Sequence, residues 1–102
     1  MKRDFPYTTE TILSILKKFK EDNQEKYGIE ELALYGSCAR QEQTVGSDID
    51  IAVRLKSPNL LRLISLGNEL QELFEIKTHV ISLTSKFLPG FIKEISKDLI
   101  HI

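Results

Sequence analysis

The sequence has no tryptophan, very little cysteine, methionine or proline, and no long apolar run. Among its 102 residues are one Cys, one Met and three Pro. Because Cys38 is the only cysteine, an intrachain disulfide and a cysteine-based zinc site are excluded, and we expect a reducing, cytoplasmic compartment. No apolar stretch approaches the roughly 20 residues of a membrane-spanning helix, and the basic residues Lys2 and Arg3 precede no apolar segment. We therefore expect neither a signal peptide nor membrane association.

Neither sign of charge dominates the chain. Fourteen Lys and Arg oppose fifteen Asp and Glu, which gives a formal net charge of -1. Proteins that bind the nucleic-acid backbone need a surplus of basic side chains, so we expect no direct nucleic-acid binding. The length and the 41% hydrophobic content are typical of one globular domain, which we place at residues 1–102. The sequence leaves the oligomeric state open, a homo-oligomer included.

The hydrophobic pattern alternates between helical and extended periods. A first helix is predicted from Thr9 to about Lys26, with Thr8 or Thr9 as its N-cap and Gly28 as its end. Strands are predicted over residues 31–36, 47–55 and 75–83. Further helices are predicted over 37–43, over 57–74 with Ser57 as cap and Pro58 in the first turn, and from about Pro89, after a Thr84–Ser85 turn. The predicted order is α-β-α-β-α-β-α.

Two carboxylates stand out in the stretch GSCARQEQTVGSDIDIAV, residues 36–53. Asp48 and Asp50 are two apart on a predicted strand, so their side chains share one face, and the intervening apolar residues point to the core. Two carboxylates so close together repel each other. A hard cation such as Mg²⁺ removes that repulsion and also accepts phosphate oxygens.

The Gly36-Ser37 pair lies where a predicted strand meets a short helix. Backbone N–H groups at such a turn attract an anion, glycine lets a phosphate approach closely, and the Ser37 hydroxyl adds a donor. Arg40, one turn later, either contacts the same phosphate or anchors the loop through a surface ion pair. Together with Asp48 and Asp50, the turn predicts a triphosphate held between backbone amides and a carboxylate-bound Mg²⁺.

Each of these features also has a purely structural explanation. The aspartates suit a solvated strand end, and Gly36-Ser37 suits a strand terminator followed by an N-cap, which contributes about 1 kcal/mol. Cys38 suits a small filler on the loop, since no base lies beside it in the sequence to generate a thiolate. The combination of the turn and the acidic pair, at this spacing, favours a functional site.

The pattern Gly36-Ser37, ten residues, Asp48-Ile49-Asp50 resembles the signature of the DNA polymerase beta-like nucleotidyltransferase superfamily. The segments GSCAR and SDIDI narrow the resemblance to the minimal nucleotidyltransferases, small proteins often paired with a HEPN-domain toxin. The resemblance implies an α+β nucleotidyltransferase fold, a small mixed β-sheet of about three strands flanked by helices. It also implies triphosphate contacts from Gly36 and Ser37, Mg²⁺ ligands in Asp48 and Asp50, and transfer of AMP from ATP to a hydroxyl, such as a tyrosine of the HEPN toxin, as an antitoxin.

The resemblance is incomplete at one catalytic position. Relatives usually carry a third carboxylate on the next strand, where this sequence has His79, and often Gly where it has Gln41. His79 is the remnant of a lost carboxylate site, a general base, or a strand residue without a role. Two function classes therefore stay open. The chain is either a nucleotidyltransferase or a catalytically impaired module that binds a nucleotide or a partner.

Overall fold

The computed structural model describes residues 5–84 and 89–102, which form four helices and a four-stranded sheet. The predicted α+β fold is confirmed. The short last strand is an addition to the predicted order. The elements are α1 (Thr9–Tyr27), β1 (Ile29–Tyr35), α2 (Gly36–Ala39), β2 (Ile49–Leu55), α3 (Leu60–Phe74), β3 (Thr78–Ser82), α4 (Pro89–Ile95) and β4 (Ile100–His101).

The sheet has the strand order β3-β2-β1-β4 and is mixed. Strand β1 runs antiparallel to β2 and to β4, whereas β2 and β3 run parallel and are joined through α3. The register pairs Asp50 of β2 with Tyr35 on one side and with His79 on the other. The end of β1, the start of β2 and the start of β3 therefore meet at one edge of the molecule.

Helices α1 and α3 cover one face of the sheet and form the main core with it. Ile49, Ile51 and Val53 of β2 are fully buried there, as the alternation in the sequence predicts. The opposite face carries a smaller cluster around Tyr35 and Ala52, on which Ile95 of α4 packs. Asp50 belongs to this second face, because it alternates with the core residues along β2.

The ends of α1 agree with the prediction, and they decide between the two candidate caps. The Thr8 side chain accepts a hydrogen bond from the Thr11 N–H, so Thr8 is the N-cap. Gly28 ends the helix in the left-handed conformation, with φ 68°, and its N–H donates to the Gln24 carbonyl.

The predicted start of α3 was wrong. Asn59, not Ser57, is the N-cap, and Pro58 lies before the cap instead of in the first turn. The Asn59 Oδ1 accepts a hydrogen bond from the Arg62 N–H at 2.8 Å, and asparagine caps a helix about as well as serine does. Ser57 instead contributes its carbonyl, which accepts a hydrogen bond from the Arg62 guanidinium.

Further boundaries differ from the prediction. Strand β1 spans Ile29–Tyr35, so it begins two residues earlier than predicted. Helix α2 stops at Ala39 rather than near residue 43, since Gln41 takes a left-handed conformation with φ 60°. Strand β3 begins at Thr78 rather than at residue 75, because Glu75, with φ 57°, ends α3. Strand β2 begins at Ile49, two residues later than predicted. Ser85 of the predicted turn lies outside the described residues.

None of the helices described in residues 5–84 and 89–102 combines the length and apolarity needed to cross a membrane.

Candidate active site

The Gly36-Ser37 turn lies directly against the Asp50 carboxylate. Tyr35 pairs with Asp50, so the chain passes beside that carboxylate as it leaves β1. Gly36 has φ 75°, and a Cβ atom at this position would lie only 2.5 Å from Asp50 Oδ2. Both the left-handed conformation and the close approach require glycine. The structure thus brings together two features that the sequence placed 14 residues apart.

Backbone and side-chain contacts hold this turn in place from behind. The N–H groups of Arg40 and Glu42 donate to the carbonyls of Gly36 and Ser37 at 3.1 and 2.9 Å. Cys38 is fully buried in the main core, and its carbonyl accepts a hydrogen bond from the Thr9 hydroxyl of α1. The cysteine therefore serves as a packed filler on the loop, and α1 fixes the position of the turn.

Asp48 lies one residue before β2 rather than on it, which corrects the prediction that both aspartates are strand residues. Its Oδ2 lies 2.9 Å from Nε2 of His79, whose side chain is 47% exposed. Because His79 is also the register partner of Asp50, the three side chains cluster at the ends of β2 and β3. His79 therefore contacts the acidic pair, and the three readings of its role stay predictions.

The site disfavours the negative charge that it carries. Burial raises the pKa of the Asp50 carboxyl above its ordinary value, and the nearby Asp48 charge also raises it, whereas His79 and Arg40 lower it. Burial and the Asp50 charge raise the pKa of the neighbouring Tyr35 hydroxyl to about 12, so this phenol stays protonated at neutral pH. A cation close to Asp50 would relieve both its desolvation and its repulsion from Asp48.

Arg40 forms two ion pairs. Its Nε donates to Glu42 Oε1 and its Nη1 donates to Asp98 Oδ2, both at 2.8 Å. Of the two readings from the sequence, the structure shows the anchoring ion pair, and the phosphate contact stays a prediction. Sequence reasoning missed Asp98, because it is 58 residues away along the chain and no local pattern connects the two. The ion pair ties the loop after α2 to the turn between α4 and β4.

The two aspartates fit a Mg²⁺ ion that shares its coordination with a substrate. Within residues 5–84 and 89–102, no three Asp, Glu, His or Cys side chains converge on a complete metal site. Protein-bound Mg²⁺ commonly takes one or two carboxylates and completes its octahedron with phosphate oxygens and water. Asp48 and Asp50 supply that number of ligands beside a turn suited to phosphate, whereas a histidine nitrogen such as that of His79 is a poor Mg²⁺ ligand.

Comparison with known sequences identifies the family of the chain. Residues 16–102 match the model of the nucleotidyltransferase domain family. A Methanocaldococcus jannaschii protein assigned as a protein adenylyltransferase is 45% identical over 96 residues, which are 93% of this chain and 98% of the relative. The protein adenylyltransferase MntA of Thermococcus cleftensis is 30% identical, again over 96 residues, which cover 93% of this chain and 96% of that protein.

Solved structures share the fold. One described as a minimal nucleotidyltransferase superposes with a TM-score of 0.74 at 22% identity and covers 93% of this chain and 96% of its own. A toxin–antitoxin structure with AMP-PNP gives a TM-score of 0.71 at 19% identity and covers 86% of this chain and 69% of its own. The resemblance to minimal nucleotidyltransferases is confirmed, and the chain belongs to the nucleotidyltransferase domain family.

Proposed function

We propose that this chain is a Mg²⁺-dependent adenylyltransferase that transfers AMP from ATP to a hydroxyl of a HEPN-domain toxin and so acts as its antitoxin. The observation that carries the proposal is the contact between Gly36 and the Asp50 carboxylate, with Asp48 alongside. The turn, which suits phosphates, adjoins the pair of carboxylates, which suits a cation. Nucleotidyl transfer requires this arrangement.

Each part of the site has a separate task in this reaction. The backbone and hydroxyl of Gly36-Ser37 bind the β- and γ-phosphates, which leave as pyrophosphate. Asp48 and Asp50 would hold Mg²⁺, and the bound ion would supply positive charge to neutralise the phosphates. The acceptor oxygen forms the new P–O bond, the bond between the α-phosphorus and the bridging oxygen breaks, and the acceptor proton passes to a base at the site. Asp48 and His79 are the candidate bases, since they lie together at the open end of the cluster.

Similarity supports the nucleotide and the partner. One relative is named protein adenylyltransferase MntA, and one structural neighbour is a toxin–antitoxin complex with AMP-PNP, an analogue of ATP. The HEPN identity of the partner follows from the motif resemblance. Cytoplasmic localisation is part of the same proposal, because Cys38 is a free thiol that suits a reducing compartment.

One observation favours a second function, that of a nucleotide-binding or partner-binding module without turnover. By the motif resemblance, His79 stands where related proteins usually have a carboxylate, and its Nε2 lies 2.9 Å from Asp48 Oδ2. A neutral imidazole brings no negative charge to a second cation. The protein would then neutralise its partner by contact alone.

Asp50→Asn should raise the stability of the protein and weaken its binding of Mg²⁺-ATP. Burial raises the pKa of Asp50, so its negative charge opposes folding, and the neutral amide should increase the free energy of unfolding near neutral pH in EDTA. This gain should disappear below pH 3.8, the ordinary value, where the carboxyl is protonated in both states. Affinity for ATP with Mg²⁺ should fall by more than about tenfold in Asp50→Asn and in Asp48→Asn.

Urea unfolding and titration calorimetry measure these two effects. Asp22→Asn is the matched control, because Asp22 is exposed on α1 and its one ion pair within the described residues is with Lys18 of the same helix. Equal ATP affinity of the wild type in EDTA and in Mg²⁺ would show that the aspartates are not metal ligands.

Gly36→Ala should disrupt the turn. The new methyl group meets Asp50 Oδ2, and the left-handed conformation alone costs a residue with a side chain about 1–2 kcal/mol. We expect a loss of stability of at least that size and more than about tenfold weaker binding of Mg²⁺-ATP, measured by calorimetry on protein verified as folded by circular dichroism. Gly46→Ala is the control, since nothing lies within 4 Å of its added Cβ, and its stability should stay within about 0.5 kcal/mol. Equal ATP affinity in the two variants would place the phosphates elsewhere.

His79→Asp should distinguish the enzyme from the module. If His79 replaces a lost carboxylate, the aspartate restores negative charge beside Asp48 and should raise AMP transfer to the partner toxin about tenfold or more. Labelled AMP on the toxin and ATP affinity are measured for the wild type, His79→Asp and His79→Ala. A wild type that is faster than His79→Asp, with an inactive His79→Ala, would make the histidine itself the base. Binding of ATP without transfer in all three proteins would favour the module.

A further inference from the structure

The three parts of the site follow one another across the sheet. The phosphate turn ends β1, Asp50 lies on the adjacent β2, and His79 lies on β3. In the described part of the chain β3 is the outermost strand and pairs only with β2. The order from β1 outward is therefore phosphate turn, acidic pair, histidine and open sheet edge.

The geometry of nucleotidyl transfer determines from which side of the site the acceptor hydroxyl approaches. The attacking and leaving oxygens lie roughly in line on opposite sides of the phosphorus. With pyrophosphate leaving toward Gly36-Ser37 beyond one side of Asp50, the acceptor hydroxyl must arrive from the other side, where His79 lies. The acceptor therefore approaches over β3.

In the part of the chain that the structure describes, the outer edge of β3 offers backbone groups without a strand partner at this place. The Lys77 carbonyl and the Leu83 N–H bond to β2, which shows that the odd-numbered residues of β3 face that strand. The even-numbered residues consequently direct their backbone groups outward. The Thr78 N–H is met there by the Gln71 side chain at 3.3 Å. Within residues 5–84 and 89–102, the outward groups of Val80 and Ser82 have no backbone partner and can accept an added strand.

We propose that the acceptor hydroxyl belongs to an extended polypeptide segment that pairs with β3 as an additional strand. This inference rests on the proposed function and adds the mode in which the substrate is held. Side chains of an added strand alternate between the two faces of the sheet. A residue opposite His79 faces the acidic pair, about two strand spacings, or roughly 9.6 Å, from β2. That separation suits the long side chain of a tyrosine better than that of a serine.

The other side chains of the added strand would lie on the opposite face of the sheet, beside α3. A groove between α3 and β3 is lined by Leu60, Ile64, Gly67 and Val80, with Leu60 71% exposed. Gly67 leaves room beside Val80, since a Cβ at residue 67 would contact the valine side chain at 3.6 Å. An added strand would place one apolar side chain in this groove and its reactive hydroxyl on the other face. The preferred segment thus alternates small apolar residues with a hydroxyl residue.

The test compares acceptors that differ in their ability to form backbone hydrogen bonds with the edge of β3. The probes are a seven-residue peptide with a central tyrosine between alternating threonine and valine, the same peptide N-methylated at alternate amides, and N-acetyltyrosinamide. With labelled ATP and Mg²⁺, the wild type should modify the first peptide with a kcat/KM about tenfold or more above the other two, because only this peptide can form the full set of backbone hydrogen bonds with β3.

Val80→Pro removes the outward N–H without breaking a bond to β2, and Val80→Ala is the matched control that loses the side chain but keeps the N–H. Val80→Pro should lose the preference for the unmethylated peptide over its N-methylated form. Val80→Ala, which also lacks the valine side chain, should keep that preference because its N–H is retained. Amide hydrogen exchange at Val80 and Ser82 of the wild type should slow when the peptide binds.

The docking proposal and the proposed function fail in different ways. Equal kcat/KM for the peptide and its N-methylated form, or a difference between them that persists in Val80→Pro, would overturn the docking mode while transfer itself stands. Unchanged amide exchange at Val80 and Ser82 in saturating peptide would do the same. Absence of Mg²⁺-ATP binding, with no AMP on any acceptor, would overturn the proposed function and the docking mode with it.

Discussion

The close approach of the Gly36 backbone to the Asp50 carboxylate is the contact on which the rest of the site depends. It follows from the antiparallel register of β1 and β2, which pairs Tyr35 with Asp50 and leaves the next residue no room for a side chain. Ile49, Ile51 and Val53 fix this register, since a slip of one residue would turn them out of the core. Strand β2 thus contributes the side chains of one face to the core and those of the other face to the site.

The position of Asp50 beside this turn also explains why its negative charge is disfavoured in the folded protein. Asp50 is partly withdrawn from water beside a second carboxylate, and burial is the main reason for its raised pKa. A surface strand with no function would not retain this arrangement, because a neutral residue would fold more favourably. The unfavourable charge supports the proposed cation site, and the neighbouring turn supports the proposal that the cation binds together with phosphates.

The sequence predicted those parts of the fold that depend on local patterns. The alternation along β2, the helical spacing in α1 and the Gly28 stop are read directly from neighbouring residues, as is the Gly-Ser to Asp-x-Asp spacing. The start of α3 was wrong because Ser57 and Asn59 are equally good caps, and only the structure shows which oxygen meets the Arg62 N–H. The Arg40–Asp98 pair and strand β4 depend on residues distant in sequence, so no local pattern revealed them.

The most direct test of the account is the position of the metal–nucleotide complex. Mn²⁺ takes carboxylate and phosphate oxygens as Mg²⁺ does, and its unpaired electrons broaden nearby nuclear magnetic resonance signals. Titration of the ¹⁵N-labelled protein with Mn²⁺-ATP should broaden the amide signals of Gly36, Ser37, Asp48 and Asp50 first, with His79 close behind. Broadening centred on another acidic surface, such as Glu69 and Glu72 of α3, would contradict the account.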